Sequence, residues 1–420
     1  MATTNAFLTP DVIAREALMI LENNLISPQV MNTDATSEFT GAKVGDQITI
    51  RKPAFFVAQE FGSNLGNSND SVTMQDVVEH SVSLKIEKLF DVSFEVTTKE
   101  LALEIDQFNS RLLTPAMVAM TQQIDSYAFS KMGQLGGLPQ WKSVLESGEN
   151  NNNYSNAPAS LDTFADIVEV MNKQNIPVAG RRCILSPAMQ TKMYGVDEFV
   201  RADIRGGGFS SPITEASMGR FMGLDMMMSQ NLPKHTTGAG ADDANVASLT
   251  VSAKGYEGQD SVTISGGAGN GDLKAGDVIS ILYLDDEYRD HTVMADSALG
   301  SAVSISPPLY GHDQAVAEQG TGQNVVSATA SVKIKANAGA EAYTVGGAFI
   351  PDAFQLVFIP QPEPMGPGTS SATVSYNGMS LRVLQTYDHM KKKDMISVDC
   401  MVGCKAVDAR LGVKVVSSTG

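Results

Sequence analysis

Residues 78–96, VEHSVSLKIEKLFDVSFEV, are the stretch that decides how the rest of the chain is interpreted. The even-numbered positions are apolar except for His80 and Lys88, and the odd-numbered positions are polar except for Leu89. Because side chains alternate between the two faces of a strand, this pattern predicts a β-strand with one wet face. Nineteen residues at about 3.3 Å each would span roughly 60 Å, whereas strands of globular domains usually hold about 3–10 residues.

A second alternating run at residues 47–51 lies upstream, and the polar, glycine-containing run at residues 62–70 between them is typical of a loop tip. We interpret the two runs as a long two-stranded arm that reaches away from the body. An isolated hairpin is marginally stable in water, so such an arm needs a neighbouring surface to lie on. The alternative is two or three shorter strands bent by a bulge near Lys88 and Leu89, and the pattern leaves both interpretations open.

Length and composition restrict the class of protein. The 420 residues exceed one ordinary domain, so two or three domains are expected, and 43% hydrophobic residues are enough to build their cores. A net charge of −17 disfavours general coating of nucleic acid. Three cysteines favour a reducing compartment, and neither a secretory signal nor a run of about 18 apolar residues is visible. We expect a soluble, acidic, multi-domain protein made in a cytosol.

Helical patterns flank the predicted arm. Residues 9–25 are predicted to form a short amphipathic helix, and Thr114 and Pro115 predict the start of a long one-sided helix that ends near Gly133. From Ser160 the pattern becomes α/β, with helix 160–171, a short buried strand 181–185, helix 187–194 and an apolar strand 221–229.

The composition then changes over residues 235–347. This stretch holds 16 of the 37 glycines, and its 5 Lys and Arg stand against 14 Asp and Glu, a net charge of −9. Its apolar runs are short and alternating, which predicts a small all-β module inserted into the α/β domain. The predicted strands are residues 248–251, 261–264, 278–281, 303–305 and 332–334. Residues 381–416 alternate again and are expected to complete the sheet of the α/β domain.

The residues that could carry chemistry form no recognisable constellation. Nucleophile-elbow, zinc-protease, P-loop and dinucleotide motifs are all absent from the sequence. Cys400 and Cys404 would share one face of a strand, and we interpret them as buried core residues. The acidic run 285–287 and the basic run 391–393 are interpreted as solvated turns. We therefore predict no enzyme activity, no cofactor and no metal site.

The order of these elements resembles the coat proteins of tailed bacteriophages. The closest similarity is to the coat family of short-tailed phages of enteric bacteria, which has the Hong Kong ninety-seven-type capsid fold with an inserted β-barrel domain. The stretches that carry the resemblance are GDQITIRKP at residues 45–53, KAGDVIS at residues 274–280, and the tail from residue 380 to residue 415.

The resemblance implies an α+β fold with a specific division of the chain. The implied parts are an N-terminal arm (1–43), an extended β-hairpin loop (44–96), a peripheral domain with the spine helix (97–159), the first part of an axial domain (160–234), an inserted β-barrel domain (235–342), and closing strands of the axial and peripheral domains (343–420).

The resemblance also implies function and partners: a major capsid protein whose hexamers and pentamers build an icosahedral shell around double-stranded DNA. No domain of roughly a hundred residues precedes the arm, so a separate scaffolding protein is implied, together with portal and decoration proteins, non-specific proximity to packaged DNA, and no membrane. The protein would be made in the host bacterial cytoplasm and would reside in the virion capsid. The alternative hypothesis is a tail component or a β-rich adhesive protein, and an enzyme ranks third.

Six residues receive roles from the resemblance. Acidic residues on the N-terminal helix would bind a basic scaffolding protein, and a charged loop early in the insert would bridge capsomers. The scaffold-binding residues would be Asp11, Glu16 and Glu22, and the inter-capsomer residues would be Lys254, Glu257 and Asp260.

Overall fold

A computed structural model mixes a few helices with many strands. It describes residues 10–36, 47–51, 81–97, 112–135, 162–173, 175–193, 219–238, 249–256, 258–266, 272–284, 286, 288–309, 324–334, 342–364, 369–388, 390–391 and 393–418. The predicted loop tip at 62–70 and Glu257 lie outside these residues.

The helices predicted at 9–25, 114–133, 160–171 and 187–194 are present near those positions. The sequence also predicts a short helix that opens at residues 97–101, but Thr97 lies in a strand and residues 98–101 lie outside the described residues. The described helices are α1 (Pro10–Asn24), α2 (Ser27–Val30), α3 (Thr114–Ser130), α4 (Asp162–Lys173) and α5 (Pro187–Met193), and α3 continues as a 3-10 turn, Lys131–Gln134. The buried Asp125 carboxylate on α3 accepts the backbone N–H of Ser27 at 3.0 Å, which ties α2 to the long helix. None of the helices in the described part of the chain is long and apolar enough to cross a membrane.

The alternating stretch at residues 78–96 is not one strand. Strand β1 (Gln47–Arg51) pairs antiparallel with β2 (Ser81–Lys85), while β3 (Lys88–Thr97) joins a different sheet. The interpretation as a single overlong strand is therefore wrong, and the alternative with shorter strands is correct, with the break at Ile86 and Glu87. The two-residue period continues across the break because the even-numbered side chains from Val82 to Phe94, except the exposed Lys88, are buried or half-buried, whereas the odd-numbered ones are exposed.

Most of the tail folds into a sheet of long strands, which we call the long-stranded sheet. It contains β3 together with β19 (Phe354–Ile359), β20 (Thr369–Tyr376), β21 (Met379–Asp388) and β22 (Lys393–Ala406). The 14 residues of β22 are its centre, since this strand pairs with β3, β21 and β19. Helices α1 and α3 pack against the sheet, and their buried apolar side chains form a common core with it.

The α/β part of the chain forms a second, mixed sheet. Its strands are β4 (Arg182–Leu185), β5 (Arg220–Phe221), β6 (Leu224–Met228), β7 (Lys234–Thr236), β18 (Ala342–Phe349) and β23 (Gly412–Ser418). Strands β4 and β6 are parallel, and α4 packs its apolar face against this sheet. Only β23 comes from the tail, so the expectation that residues 381–416 as a whole complete this sheet is wrong.

Between β7 and β18 lies an all-β unit, which we call the insert. Its strands are β8 (Thr250–Val251), β9 (Gly255–Tyr256), β10 (Ser261–Ser265), β11 (Asp272–Leu273), β12 (Val278–Leu282), β13 (Tyr288–Val293), β14 (Ser297–Ala298), β15 (Ala302–Ser306), β16 (Asn324–Val326) and β17 (Val332–Ile334). All five predicted strands are present, and the sequence analysis missed the other five, β9, β11, β13, β14 and β16.

The main sheet of the insert closes on itself. Its strand order is β17-β12-β13-β15-β10-β8. The two end strands meet through backbone hydrogen bonds from Val332 N to Leu249 O at 2.9 Å and from Val251 N to Ala330 O at 3.0 Å. Closure removes the free edges that an open sheet exposes.

Candidate assembly elements: the loop root and the insert root

Two parts of the chain are held on the body by identifiable contacts, and these contacts are the candidate functional elements. The first part is the β1–β2 pair, which brackets residues 52–80 of the sequence. Arg51 and Ser81 face each other as the last pair of this ladder, so the intervening segment starts and ends at one point.

The β1–β2 pair lies on the long-stranded sheet. Leu84 of β2 and Val357 of β19 are both fully buried, with Ile48, Ile50 and Ile359 packed around them. Strand β22 of the sheet has a glycine where it lies close to β2: a Cβ on Gly403 would be 3.1 Å from the Lys85 carbonyl oxygen. The two backbones therefore come closer together than a larger residue at this position would allow.

At the break between β2 and β3 the Glu87 carboxylate binds the end of α3. Its Oε2 accepts hydrogen bonds from the Tyr127 hydroxyl and the Lys131 ammonium, both at 3.1 Å. Partial burial raises the pKa of Glu87, but Lys131 and Tyr127 outweigh it and leave this pKa below its ordinary value. Burial raises the pKa of Tyr127, and the Glu87 charge adds to that effect. We call the β1–β2 pair, its packing on Gly403, and the contact of Glu87 with Tyr127 and Lys131 together the loop root.

The second element is the junction where the insert joins the mixed sheet. Strands β7 and β18, which enter and leave the insert, pair antiparallel, with His235 opposite Tyr343. Next to this pair, the Asp277 carboxylate is only 1% exposed and accepts hydrogen bonds from Gly238 N at 3.1 Å and Lys274 N at 2.8 Å. Its Oδ1 lies 2.8 Å from His235 Nε2. One buried carboxylate thus joins the insert to the strand that leads into it.

Lys414 of β23 reaches the same junction from the body. Its side chain is fully buried, and its Nζ donates a hydrogen bond to Gly276 O at 2.7 Å. Burial lowers the pKa of Lys414 to about 7, against the opposing effect of the Asp277 charge. Gly276 has φ +106°, and a Cβ there would lie 2.9 Å from the His235 ring. We call His235, Gly276, Asp277 and Lys414 the insert root.

A further buried contact fixes the insert against the end of α3. The Thr292 hydroxyl on β13 donates to the Leu135 carbonyl at 2.7 Å, and Thr292 is fully buried. The Leu135 side chain in turn lies against Gly347 and Gly412, where an added Cβ would be 3.0 and 2.8 Å from its methyl groups. The insert is therefore bound to the body through both hydrogen bonds and close packing.

Inside the insert, a neutral histidine belongs to the core. His291 Nδ1 lies 2.7 Å from Pro307 O and therefore carries the hydrogen, which leaves Nε2 to accept from the Tyr283 hydroxyl at 2.9 Å. Burial lowers the pKa of His291 to about 4. The ring is a structural residue of β13.

The proposed scaffold-binding residues all lie on α1 and do not form one uniform surface. Asp11 is exposed and pairs with Arg15 at 3.1 Å, while Glu16 and Glu22 are half-buried. Val12 and Met19, which are 50% and 56% exposed, share the outward side of the helix. The role of Asp11, Glu16 and Glu22 stays a prediction.

The proposed inter-capsomer residues surround the β9–β10 connection. Lys254 is exposed directly before β9, Asp260 is exposed directly before β10, and Glu257 lies outside the described residues. The connection is held by backbone bonds from Gly258 N to Leu309 O and from Ile305 N to Asp260 O, both at 2.8 Å. Their role in bridging capsomers also stays a prediction.

Sequence reasoning assigned no role to the residues of either root. Glu87 appeared there only as one polar position of an alternating strand, and Lys414 as one residue of a tail strand. One sequence signal did point to the insert root: residues 274–280, a stretch that resembles the coat-protein family, contain Gly276 and Asp277. Nothing in the pattern linked them to Lys414, which is 138 residues away from Gly276 in the chain.

The remaining titratable side chains of the described residues do not converge on a chemical site. Among them no group of three or more His, Cys, Asp or Glu side chains could hold a metal ion. Cys183, Cys400 and Cys404 are free thiols in the core, and burial raises the pKa of each to about 12.

Comparisons with known proteins give structural similarities only. No protein-family model matches the sequence, and no curated protein matches it. Among solved structures, the chain is similar to "Mycobacterium phage Che8", with a TM-score of 0.47 and 12% identity over 93% of this chain and 90% of the other.

Two more solved structures are similar over most of their length. "Capsid structure of the Cyanophage P-SCSP1u" gives a TM-score of 0.44 and 11% identity over 90% of this chain and 85% of the other. "Asymmetric unit of bacteriophage PhiM1 mature capsid" gives a TM-score of 0.44 and 9% identity over 88% of this chain and 82% of the other. At such identities and TM-scores the similarity assigns no function to this chain.

Proposed function

We propose that this protein is a major capsid protein of a tailed bacteriophage, a structural subunit whose copies assemble into a closed shell. The class of protein follows from the order of the sequence elements, which resembles that of tailed-phage coat proteins. The single observation that carries the proposal is the loop root: a strand pair packed on the long-stranded sheet, whose last pair, Arg51 with Ser81, brackets residues 52–80 of the sequence.

The geometry at the loop root supports a role in contact between copies. Within the described residues, β1 and β2 pair only with each other. A two-stranded pair gains little stability alone, so the anchoring through Leu84, Gly403 and Glu87 holds β1 and β2 in place on the body. In this proposal the part of the chain between Arg51 and Ser81 contributes one weak contact per copy, and such contacts add across many copies.

The insert root supports a rigid attachment of the inserted unit. Buried polar contacts from Asp277, Lys414 and Thr292 fix the orientation of the insert on the body. Surface loops held at defined angles are what a regular shell requires, because every copy must present the same surface to its neighbours.

The finer parts of the proposal follow the resemblance. They are hexamers and pentamers in an icosahedral shell around double-stranded DNA, a separate scaffolding protein, portal and decoration proteins, and synthesis in the host cytoplasm. The domain boundaries, with the spine helix at 97–159 and the insertion domain at 235–342, belong to the same proposal.

The test is electron microscopy of the full-length chain co-expressed with a basic scaffolding protein. We expect closed shells of uniform diameter built from rings of five and six copies. A chain that stays monomeric under every assembly condition would contradict the proposal. Tubes or fibres that form without a scaffold would favour a tail component, and glycan binding without assembly would favour an adhesive protein.

A matched pair of variants connects this test to the loop root. Gly403→Val places a branched side chain against the Lys85 carbonyl, whereas a Cβ at Gly133 has open space around it, so Gly133→Val is the control. We expect Gly403→Val to remain folded by circular dichroism and to lose shell formation, and Gly133→Val to keep it. Equal assembly of both folded variants would exclude the loop root from assembly.

A further inference from the structure

Two hairpin tips of this chain carry opposite charge runs. Residues 391–393 are the only three consecutive basic residues in the sequence, and residues 285–287 are the only three consecutive acidic residues. In the described residues, Lys391 lies at the turn between β21 and β22, whose last pair is Asp388 with Lys393. Asp286 lies at the turn between β12 and β13, whose last pair is Leu282 with Tyr288.

The basic tip combines its charge with exposed apolar side chains. Met390 is 82% exposed and Tyr387 is 45% exposed, and Lys391 is also exposed. The Asp388 carboxylate accepts the backbone N–H of Met390 at 2.8 Å and of Lys391 at 3.2 Å, so the turn has a defined shape. Lys393 is already paired with Glu95, and Lys391 also lies close enough to lower the pKa of that carboxylate.

The acidic tip has the same construction with the opposite charge. Leu284 is 56% exposed and Tyr288 is 39% exposed, on either side of the exposed Asp286. Asp286 has φ +61°, and its N–H donates to Tyr283 O at 3.1 Å, which closes the turn. Two cations lie near this tip: the Lys333 Nζ is 4.3 Å from the centre of the Tyr288 ring, and the Arg289 guanidinium is 4.5 Å from the centre of the Tyr283 ring.

We propose that the acidic tip of one copy, Leu284–Asp286–Tyr288, docks on the basic tip of a second copy, Tyr387–Met390–Lys391. This inference rests on the proposed function, because it names a contact through which the copies assemble. The apolar side chains supply area that is removed from water, and the opposite charges set the orientation. A contact between two different surfaces is heterologous, so repetition around a closed ring leaves no tip unpaired.

Charge balance favours a second copy as the partner. Each chain carries a net charge of −17, so copies repel one another at a distance. The insert carries −9 of this charge, and a basic tip that meets it replaces repulsion with local attraction. Packaged DNA is the other polyanion in a shell, but the exposed Met390 and Tyr387 match an apolar protein surface better than a phosphate backbone.

The first experiment traps the contact between copies. Leu284→Cys and Met390→Cys are prepared as separate full-length proteins, mixed, assembled with the scaffold and oxidised. The native thiols give a low background, because all three are buried and their raised pKa values keep them as unreactive thiols. We expect covalent dimers in the mixture and none in either protein alone.

The second experiment exchanges the charges. We expect Lys391→Glu and Asp286→Lys each to raise the subunit concentration needed for shells about fivefold or more. The double variant should restore assembly at an unchanged net charge. The control combines Lys88→Glu with Asp286→Lys. It has the same net charge as the double variant, but its new carboxylate lies at the end of β3 that is far from the basic tip. We expect this control to assemble no better than Asp286→Lys alone.

The outcomes separate this inference from the proposed function. Shells formed by the single charge variants as readily as by the unmodified chain, with no covalent dimers in the mixture, would overturn the docking and leave the capsid assignment intact. An intramolecular disulfide in a monomer carrying both cysteines would also overturn it. Normal shells of Lys391→Glu that retain less DNA would reassign the basic tip to nucleic acid. Failure of the unmodified chain to assemble would count against the proposed function itself.

Discussion

The loop root and the insert root perform the same task with different chemistry. At the loop root, Glu87 is 41% exposed and Lys131 is 16% exposed, and water can replace either partner. At the insert root, Asp277 is 1% exposed and Lys414 is fully buried, and no water replaces a lost bond. Removing one partner at the insert root therefore leaves a desolvated polar group, whereas at the loop root it restores hydration. The difference predicts a firmly held insert and a loop whose attachment depends mainly on apolar packing.

The largest expected effect tests the buried side of this comparison. Asp277→Ala removes the acceptor for Gly238 N, Lys274 N and His235, and we expect it to lower the free energy of unfolding by about 3–5 kcal/mol. Urea titration followed by circular dichroism measures it. Asp272→Ala, at an exposed position of β11, is the control and should change stability by less than about 0.5 kcal/mol. Similar effects of the two substitutions would show that the insert root is not a critical anchor.

Alkaline pH should strengthen the insert root. The pKa of Lys414 falls from 10.5 unfolded to about 7 folded, so between these values the unfolded chain binds more protons and stability rises with pH. The free energy of unfolding rises by at most about 1.4 kcal/mol per pH unit in this interval. Below pH 7 and above pH 10.5 the titration of Lys414 causes no further change with pH. Lys414→Met removes the titration, and the difference between the two proteins at pH 7 and pH 10 measures it. Parallel pH profiles would contradict the assignment.

Acid should weaken the insert before it weakens the loop root. His291 is neutral in the folded insert, where its pKa is about 4 against 6.5 unfolded, so stability falls as the pH drops through this interval. We expect a loss of up to about 3 kcal/mol. The Glu87 contribution is present above pH 4.5 and is lost only as the pH falls toward its lower folded pKa. A His291→Gln variant that keeps the same slope between pH 6.5 and 4 would refute the role of His291.

Packing at the loop root should matter more than its charges. Gly403→Ala brings a methyl group within 3.1 Å of the Lys85 carbonyl oxygen, and we expect a loss of about 1–3 kcal/mol from overpacking. The reference is Gly133→Ala, which meets no atom within 4 Å. Thermal unfolding of both variants measures the difference. No loss in Gly403→Ala would indicate that β2 moves freely away from β22.

The smallest expected effect is the loss of the charged contact at the loop root. Glu87→Gln keeps an acceptor for Tyr127 and Lys131 but removes the charge, and we expect a change below about 1 kcal/mol that vanishes in high salt. Urea titration at low and high salt measures it. A loss comparable to that of Asp277→Ala would remove the contrast between the two roots.

Local sequence patterns predicted most elements of this fold. The helices α1 and α3 and five strands of the insert follow from apolar periodicity that each segment carries in its own residues. Strand β13 was missed because its sequence, Tyr288–Val293, contains Arg289, Asp290 and His291, which read as polar. The burial of His291 depends on its partners Pro307 O and the Tyr283 hydroxyl, which only the folded insert brings within reach.

The sequence by itself determines three features: the alternation in residues 78–96, the acidic composition, and the change in glycine content and charge at residue 235. Periodicity and charge depend only on which residues follow one another in the chain. The break at Ile86 and Glu87 was decided by tertiary structure. Before it, β2 packs on Gly403; at it, Glu87 binds Tyr127 and Lys131; after it, β3 pairs with β22. Likewise, Lys414 became an anchor of the insert only through folding. A buried amine needs a carbonyl and a carboxylate around it, and Gly276 and Asp277 come from a distant part of the chain.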